Sequence, residues 1–397
     1  MLAALPFAGD VAATIALSDR TETRLRQPGD ASTGPSLDVE TAPEARMTLA
    51  LPRIGCALAY APRLTFWDFN DVGVQPTWFH AGSLHLDWRN NETSLSVDQT
   101  ASYGAMSFAG LALAPGPEGT PPRVDVIPTS QIIHVSSSST TLGARTVIRR
   151  WELRSAVGYQ LSGGATDVAR TIIPQQRGPL ADAALTYATS PVDHVATTVS
   201  AMKTTFSSGP EIALFEADEG YKHRWSAVTE TNLVFGFSQA RVQASPLLGA
   251  TEETHPVAEA TVDHGASTGV DRVTFHVGAR VGPVVNRLLG VVDERVQGTL
   301  LSKWTRGPFV VSAFGSAQRS VPYEGPNATS LLTGELGLSY TAVEAVVFDA
   351  GVRGVWQRAN QPQASTSTPG ATDVVEASIA EGTVFFGVTF RAPTIRF

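Results

Sequence analysis

Apolar and polar residues alternate along most of the chain with a period of two. This is the pattern of strands that turn one face to an apolar and the other to a polar surrounding. In 272–282, Val273, Phe275, Val277, Ala279 and Val281 form one row, and Arg272, Thr274, His276, Gly278 and Arg280 the other. Leu332, Leu336, Leu338 and Tyr340 stand opposite Thr333, Glu335 and Ser339. Phe348, Ala350, Val352 and Trp356 oppose Asp349, Arg353 and Gln357, and Val384, Phe386, Val388 and Phe390 make a further apolar row. The pattern predicts an all-β chain with strands near 11–25, 37–51, 56–68, 76–89, 93–109, 131–147, 150–162, 181–190, 193–206, 210–225, 229–243, 256–266, 270–284, 291–304, 308–319, 329–342, 345–358 and 375–391. The weakest are 181–190 and 256–266, which keeps 16 strands as an alternative to 18. A stave of about 9–11 spanning residues, with its share of turn and loop, uses roughly 22 residues, which also gives about 18.

The connections differ in an ordered way. Short polar turns at 89–92, 147–150, 226–229 and 303–307 alternate with longer Gly/Pro/Ser/Thr-rich stretches at 27–36, 112–129, 162–180, 245–256 and 359–373. Short turns at one end and long loops at the other predict a single transmembrane, antiparallel, up-and-down β-barrel. A soluble sandwich would alternate too, so the tryptophans decide. Trp88, Trp151, Trp225 and Trp304 fall near short turns, and Trp67, Trp78 and Trp356 near long loops, as two interfacial girdles require.

Length alone, 397 residues, would suggest two or three soluble domains, but the continuous strand pattern puts 10–397 into one barrel. Residues 1–9, apolar and rich in small side chains, read as a signal-peptide remnant or N-terminal extension. Only 17% of residues are charged, yet no run approaches 18 apolar residues, so a transmembrane helix is excluded. The net charge of −8 argues against a nucleic-acid partner. Cys56 is the single cysteine, so neither an intrachain disulfide nor a cysteine-based zinc site is available. His80 and His85, five apart, point to opposite faces of a strand, and no metal or other cofactor is expected. Asp263 beside His264, and Glu253 near His255, are acid–histidine neighbours. With no Gly-x-Ser-x-Gly or His-Glu-x-x-His stretch, however, the chain is not expected to be an enzyme.

The last strand carries a more specific signal. Val384 to Phe390 alternates apolar residues around Gly387 and ends on an aromatic, followed by a tail to Phe397 interrupted by Pro393. In this the chain resembles Gram-negative outer-membrane β-barrel proteins over essentially its whole length, with Gly387, Phe390 and Phe397 as the assembly signal. Either Phe390 closes the strand or Phe397 is the functional terminus. The resemblance implies insertion by the barrel-assembly machinery into outer-membrane lipid, with both termini periplasmic. It carries no enzyme or substrate motif.

A lumen of 16–18 strands is too wide for side chains alone to fill. No plug-like segment is read before the first strand, so a siderophore-type receptor is not expected. The polar rows supply Asp87, Arg89, Asp98, Glu216, Asp218, Lys222, Arg224, Arg280, Glu335, Asp349 and Arg353 as lumen-facing charges, between Ser/Thr-rich stretches such as Ser94, Ser96, Thr100 and Ser102. Opposed charges would create a transverse field across the pore. Glu219 falls on the apolar row with Phe215 and Tyr221, which predicts a bulge there, with a protein-facing patch as the alternative. Three functions fit: a conduit for secreted polysaccharide working with a periplasmic export protein, a general diffusion porin for small polar solutes, and a structural or adhesive barrel with a closed lumen. The first is preferred, because a barrel of about 18 strands and this length resembles those that serve as the outer-membrane exit for secreted polysaccharide, and hydroxyl-rich walls suit neutral sugars. A monomer is expected.

Overall fold

A computed structural model describes residues 12–28, 35–68, 76–107, 132–243, 250–286, 291–321, 329–364 and 372–396. The strands are β1 (Ala12–Pro28), β2 (Ser36–Ala50), β3 (Ile54–Tyr60), β4 (Arg63–Phe66), β5 (Thr77–Arg89), β6 (Thr93–Ser107) and β7 (Ile132–Ile148). They continue as β8 (Trp151–Gly164), β9 (Gln176–Ala188), β10 (Asp193–Phe206), β11 (Glu211–Arg224), β12 (Thr229–Val242), β13 (Thr251–Thr268) and β14 (Asp271–Asn286). The remainder are β15 (Val291–Arg306), β16 (Phe309–Val321), β17 (Thr329–Val343), β18 (Val346–Ala364), β19 (Thr372–Arg391) and β20 (Ile395–Arg396). One short helix, α1 (Asp167–Ile172), separates β8 from β9.

Each strand pairs antiparallel with its sequence neighbour, and β19 pairs with β1, so the sheet has no free edge. Of the 20 strand elements, β3 and β4 occupy one place between β2 and β5, and β20 only extends the pairing of β1. The result is a closed 18-stave barrel. Both weakly patterned stretches form full strands: β9 begins at Gln176 and β13 at Thr251, earlier than the alternation suggested, and the 16-strand alternative falls. At a strand spacing of about 4.8 Å and a tilt of about 40°, 18 staves close at a backbone diameter of about 35 Å.

The short connections lie at one end and are built by local chemistry. Asn90 Oδ1 accepts from the backbone N–H groups of Glu92 and Thr93, and Ser190 Oγ accepts from those of Val192 and Asp193. Gly269 and Gly307 take the left-handed conformation in two other turns. The last of these is Gly307-Pro308, because β15 runs on to Arg306 beyond the predicted boundary. At the C-terminus β19 pairs with β1 as far as Arg391; beyond Pro393, Ile395 and Arg396 pair with β1 again, one register step off. Residues 1–9 and Phe397 lie outside the described residues.

Outward rows are greasy and exposed, among them Phe235 and Phe237 on β12, Leu332, Leu336 and Leu338 on β17, and Val384 and Phe386 on β19. Trp88, Trp151, Trp225 and Trp304 stand at the short-turn end, where Tyr187 packs against Trp151 at 4.5 Å and Tyr340 against Phe309 at 4.9 Å. Trp78 and Trp356 face outward toward the other end. Trp67 departs from its expected girdle place. It is buried, its indole N–H donates to Thr77 Oγ1 at 2.7 Å, and the Arg26 guanidinium stands 6.0 Å from its ring, so it belongs to the inner face. Glu219 sits in unbroken register between Thr197 and Phe235. There is no bulge; the carboxylate accepts from Thr197 Oγ1 at 2.8 Å.

Candidate functional site: the lumen wall

Cross-strand partners share a face, so the register carries one inner row around the whole barrel. Asp87 pairs with Ser96, Ser96 with Gly143, and the row runs on through Ala156, Asp182, Ser200 and Glu216 to Ser238. That this face is concave is shown by Arg280 on β14. Its guanidinium meets Glu259 on neighbouring β13 at 3.2 Å and Glu216 on β11 at 2.9 Å, past two intervening staves. Only on the inside of a cylinder do side chains converge so.

Two parts of this wall differ in chemistry. On β6, β7 and β8 the inner row is mainly hydroxyl and amide: Ser94, Ser96, Thr100, Ser102, Ser137, Ser139, Thr141, Gln160 and Ser162. Ser102 and Ser137 share a hydrogen bond of 2.7 Å across the strands, and Gln176 Nε2 donates to Ser162 Oγ at 2.8 Å. Charges stand among them: Asp98 lies 2.6 Å from His85 Nδ1, with Asp87 near the other ring nitrogen at 3.6 Å, and toward the short-turn end Glu152 accepts from Arg145 at 2.9 Å and from Arg154. Gly55 makes room for Asp87, since a Cβ there would lie 2.0 Å from its carboxylate.

The second region crosses the seam where the barrel closes, from β17 through β18, β19 and β1 to β2. Glu335 accepts from Arg353 at 2.7 Å, and Arg353 reaches Glu22 at 3.0 Å. Glu22 also holds Arg20 at 2.5 Å and Arg24, and Arg24 continues to Glu40 at 2.9 Å. Beside this chain Arg26 binds Asp38 at 3.1 Å and faces Glu381 at 3.8 Å. Glu22 is 1% exposed, so its charge is balanced by guanidinium groups rather than by water. The Arg353 guanidinium also lies 4.0 Å from the Phe385 ring, which lies over Gly351, where a Cβ would come within 2.6 Å of it.

The long-loop mouth is narrowed by two inward elements. After β8, Gly163 takes a φ of +136°, and at Gly164 a Cβ would lie 2.3 Å from the Ala169 carbonyl carbon, so the chain folds back tightly. Thr166 caps the helix by accepting from Ala169 N–H, and Ala169 and Ile173 pack on the inner-row residues Ile133 and Val135, with Phe79 and Met106. Within the long stretch 162–180, therefore, α1 docks inside the barrel. The second element is the β14–β15 hairpin. β14 pairs with β13 only up to Val281, while its pairing with β15 continues to Asn286. Released from β13, the hairpin leans inward, and Val285 and Val292 pack on Phe206, Ile212 and Val242, inner-row residues of β10, β11 and β12. Asn286 donates to Asp293 at 3.0 Å, as does Arg295 at 3.3 Å, which closes the polar groups of the hairpin on one another. Among the described residues no cluster of three or more His, Cys, Asp or Glu has metal-binding geometry.

Three comparisons bear on this geometry. Crystal structures of OpdL from Pseudomonas aeruginosa (10% identity, TM-score 0.46, covering 98% of this chain and 99% of that one) and OccAB4 from Acinetobacter baumannii (9%, 0.49, 98% and 100%) are similar in fold. So is the copper transporter OprC, at 10% identity and a TM-score of 0.49 over 95% of this chain and 83% of that one. No curated protein matches. The sequence matches the EpsX exopolysaccharide export family over residues 8–377. The chain belongs to that family. It is an outer-membrane β-barrel.

In this EpsX-family barrel every predicted lumen charge falls on the inner row, in three groups. Asp87, Arg89 and Asp98 stand on β5 and β6. Glu216, Asp218, Lys222, Arg224 and Arg280 stand on β11 and β14, where Lys222 and Arg224 both meet Glu230. Glu335, Asp349 and Arg353 join the seam, and Asp349 accepts from Ser339 at 2.5 Å. Of the two acid–histidine pairs, Glu253 stays 3.7 Å from His255 Nε2, and Asp263 and His264 separate. His264 faces outward to Thr229, and Asp263 instead meets His276 at 2.8 Å on the inner row. The most connected part of the wall, Arg20, Glu22, Arg24 and Arg26 with Asp38 and Glu40, is absent from the sequence-derived set. Its signal was present: β1 places a charge at every second residue from Arg20 to Arg26.

Proposed function

We propose that the barrel is an outer-membrane exit for a secreted, largely uncharged polysaccharide, passed to it by a periplasmic export protein, with the short turns and both chain ends on the periplasmic side. The observation that carries this reading is the run of hydroxyl and amide side chains, Ser94, Ser96, Thr100 and Ser102 on β6, Ser137, Ser139 and Thr141 on β7 and Gln160 and Ser162 on β8. Neutral donors and acceptors exchange hydrogen bonds with sugar hydroxyls at little net cost, so a chain is held weakly at many places and moves between them. Family membership supports the same direction of traffic. The charges do not oppose it, because most are paired along the wall and leave the lumen close to neutral. Catalysis plays no part in this function.

A second reading, passive diffusion of small polar solutes, is favoured by the width of an 18-stave lumen, which side chains alone do not fill. Deleting the gene separates the two. Export predicts loss of the secreted glycan with unchanged uptake of small polar solutes. Slower uptake with normal glycan secretion would establish diffusion instead.

A further inference from the structure

Charge is distributed unevenly along the axis of the lumen. Deep in the barrel, guanidinium groups sit beside carboxylates, as Arg280 does with Glu216 and Glu259, and Arg353 with Glu335 and Glu22. The short-turn mouth is different. Arg46 on β2, Arg89 on β5 and Arg272 on β14 share the inner side of their strands with Glu40, Asp87 and Arg280. Lys303 on β15 pairs with Thr274, and Arg391 on β19 with Ser18, in the rows of Arg280 and Glu22. All of these cations are exposed, and among the described residues their side chains have no hydrogen bond or ion pair. Where cations at this end are paired, they outnumber the acid: Arg145 and Arg154 share Glu152, and Lys222 and Arg224 share Glu230. Glu44, Asp87 and Asp349 offset only part of this excess, so the mouth is positive in a chain whose net charge is −8.

We propose that the short-turn mouth captures acidic substituents spaced along the exported glycan. This rests on the export reading and names the chemistry of its cargo: a largely uncharged chain for the hydroxyl wall, with sparse anionic groups for the mouth. The cations point into the lumen, so lipid headgroups do not reach them. Arg46 and Lys303 also stand inside the mouth, short of the strand ends at Ala50 and Arg306. A protein seated on the turns meets the turn residues first, whereas a chain threading the lumen passes all of these groups. Arginine forks match a carboxylate or phosphate with two parallel hydrogen bonds. Each contact is exposed to water and therefore weak, which lets a substituent leave again. The main effect is on entry, because a mouth of one sign concentrates solutes of the other.

Planar-bilayer recording tests this with two dextran oligosaccharides of one length, one neutral and one sparsely carboxymethylated, added to each chamber in turn. From one chamber only, the carboxymethylated oligosaccharide should interrupt the current about tenfold more often than the neutral one. The ratio should fall as KCl is raised from about 0.1 M to about 1 M, where the screening length shrinks from about 10 Å to about 3 Å. In Arg46→Gln/Arg89→Gln/Lys303→Gln/Arg391→Gln, shown to be folded by heat-modifiable migration on gels, it should drop to about one. Equal ratios from the two chambers, a ratio indifferent to salt, or a folded variant that keeps the excess would each overturn the proposal. If that last variant also stops glycan secretion in cells, the cations serve an acidic periplasmic protein instead. Interruption by both oligosaccharides at one rate overturns the proposal and leaves the export reading standing; interruption by neither, in a conducting channel, overturns both.

Discussion

The hydroxyl wall of β6–β8 and the charged seam of β17–β2 line the same lumen, yet they solve different problems. The seam must hold the first and last staves together, and there an acid and a base alternate across four strands until almost every charge has a partner. The hydroxyl wall joins strands that are neighbours in sequence, and between Asp98 and the Arg145–Glu152–Arg154 group at the short-turn end its side chains are mainly neutral donors and acceptors. Paired charge is densest where the barrel closes, and hydroxyl and amide groups prevail in the middle of β6–β8.

Removing the centre of the seam breaks this contrast most severely. Glu22→Gln leaves Arg20, Arg24 and Arg353 facing one another on a buried wall. The loss should be about 3–5 kcal/mol, the range for removing one partner of a buried ion pair. Urea unfolding in detergent, followed by heat-modifiable migration, reads it. The same variant removes one negative charge, so the reversal potential should move toward anion selectivity.

Next in size is the effect of freeing the mouth. Gly164→Val has no room against the Ala169 backbone, so α1 cannot dock on Ile133 and Val135, and single-channel conductance should rise above wild type. An unchanged conductance would mean that α1 does not limit flow. Smaller again is the hydroxyl wall itself. Ser102→Ala/Ser137→Ala should leave conductance within error and shorten the dwell time of a neutral oligosaccharide by roughly fivefold, about 1 kcal/mol for a lost neutral hydrogen bond. The smallest effect belongs outside the lumen: Glu219→Leu should stabilise the barrel by no more than about 1 kcal/mol, since the charge it removes is costly in lipid but accepts from Thr197.

These regions were not equally legible in the sequence. Strand parity exposes facing directly, which is why Asp98, Glu216, Arg280 and Arg353 could be placed on the inner row before any coordinates. Even the two weakest strands lay close to their predicted positions. What parity cannot give is distance around the cylinder. Arg280 meeting Glu216, or Glu22 gathering arginines from three directions, depends on curvature and on which staves close the ring. Trp67 misled because proximity to a long loop does not say which side of the wall a side chain takes. α1 and the inward hairpin were invisible for a related reason: both depend on small tertiary choices, the back-fold at Gly163-Gly164 and the release of β14 from β13 after Val281, that leave no periodic trace.

The central claim is that a wet, passable lumen lies behind the hydroxyl wall, and planar-bilayer recording of the refolded protein tests it most directly. The account predicts stable single-channel conductance, reversibly interrupted by neutral oligosaccharides and less so after Ser102→Ala/Ser137→Ala. A correctly folded barrel that carries no current, with Gly164→Val silent as well, would contradict it.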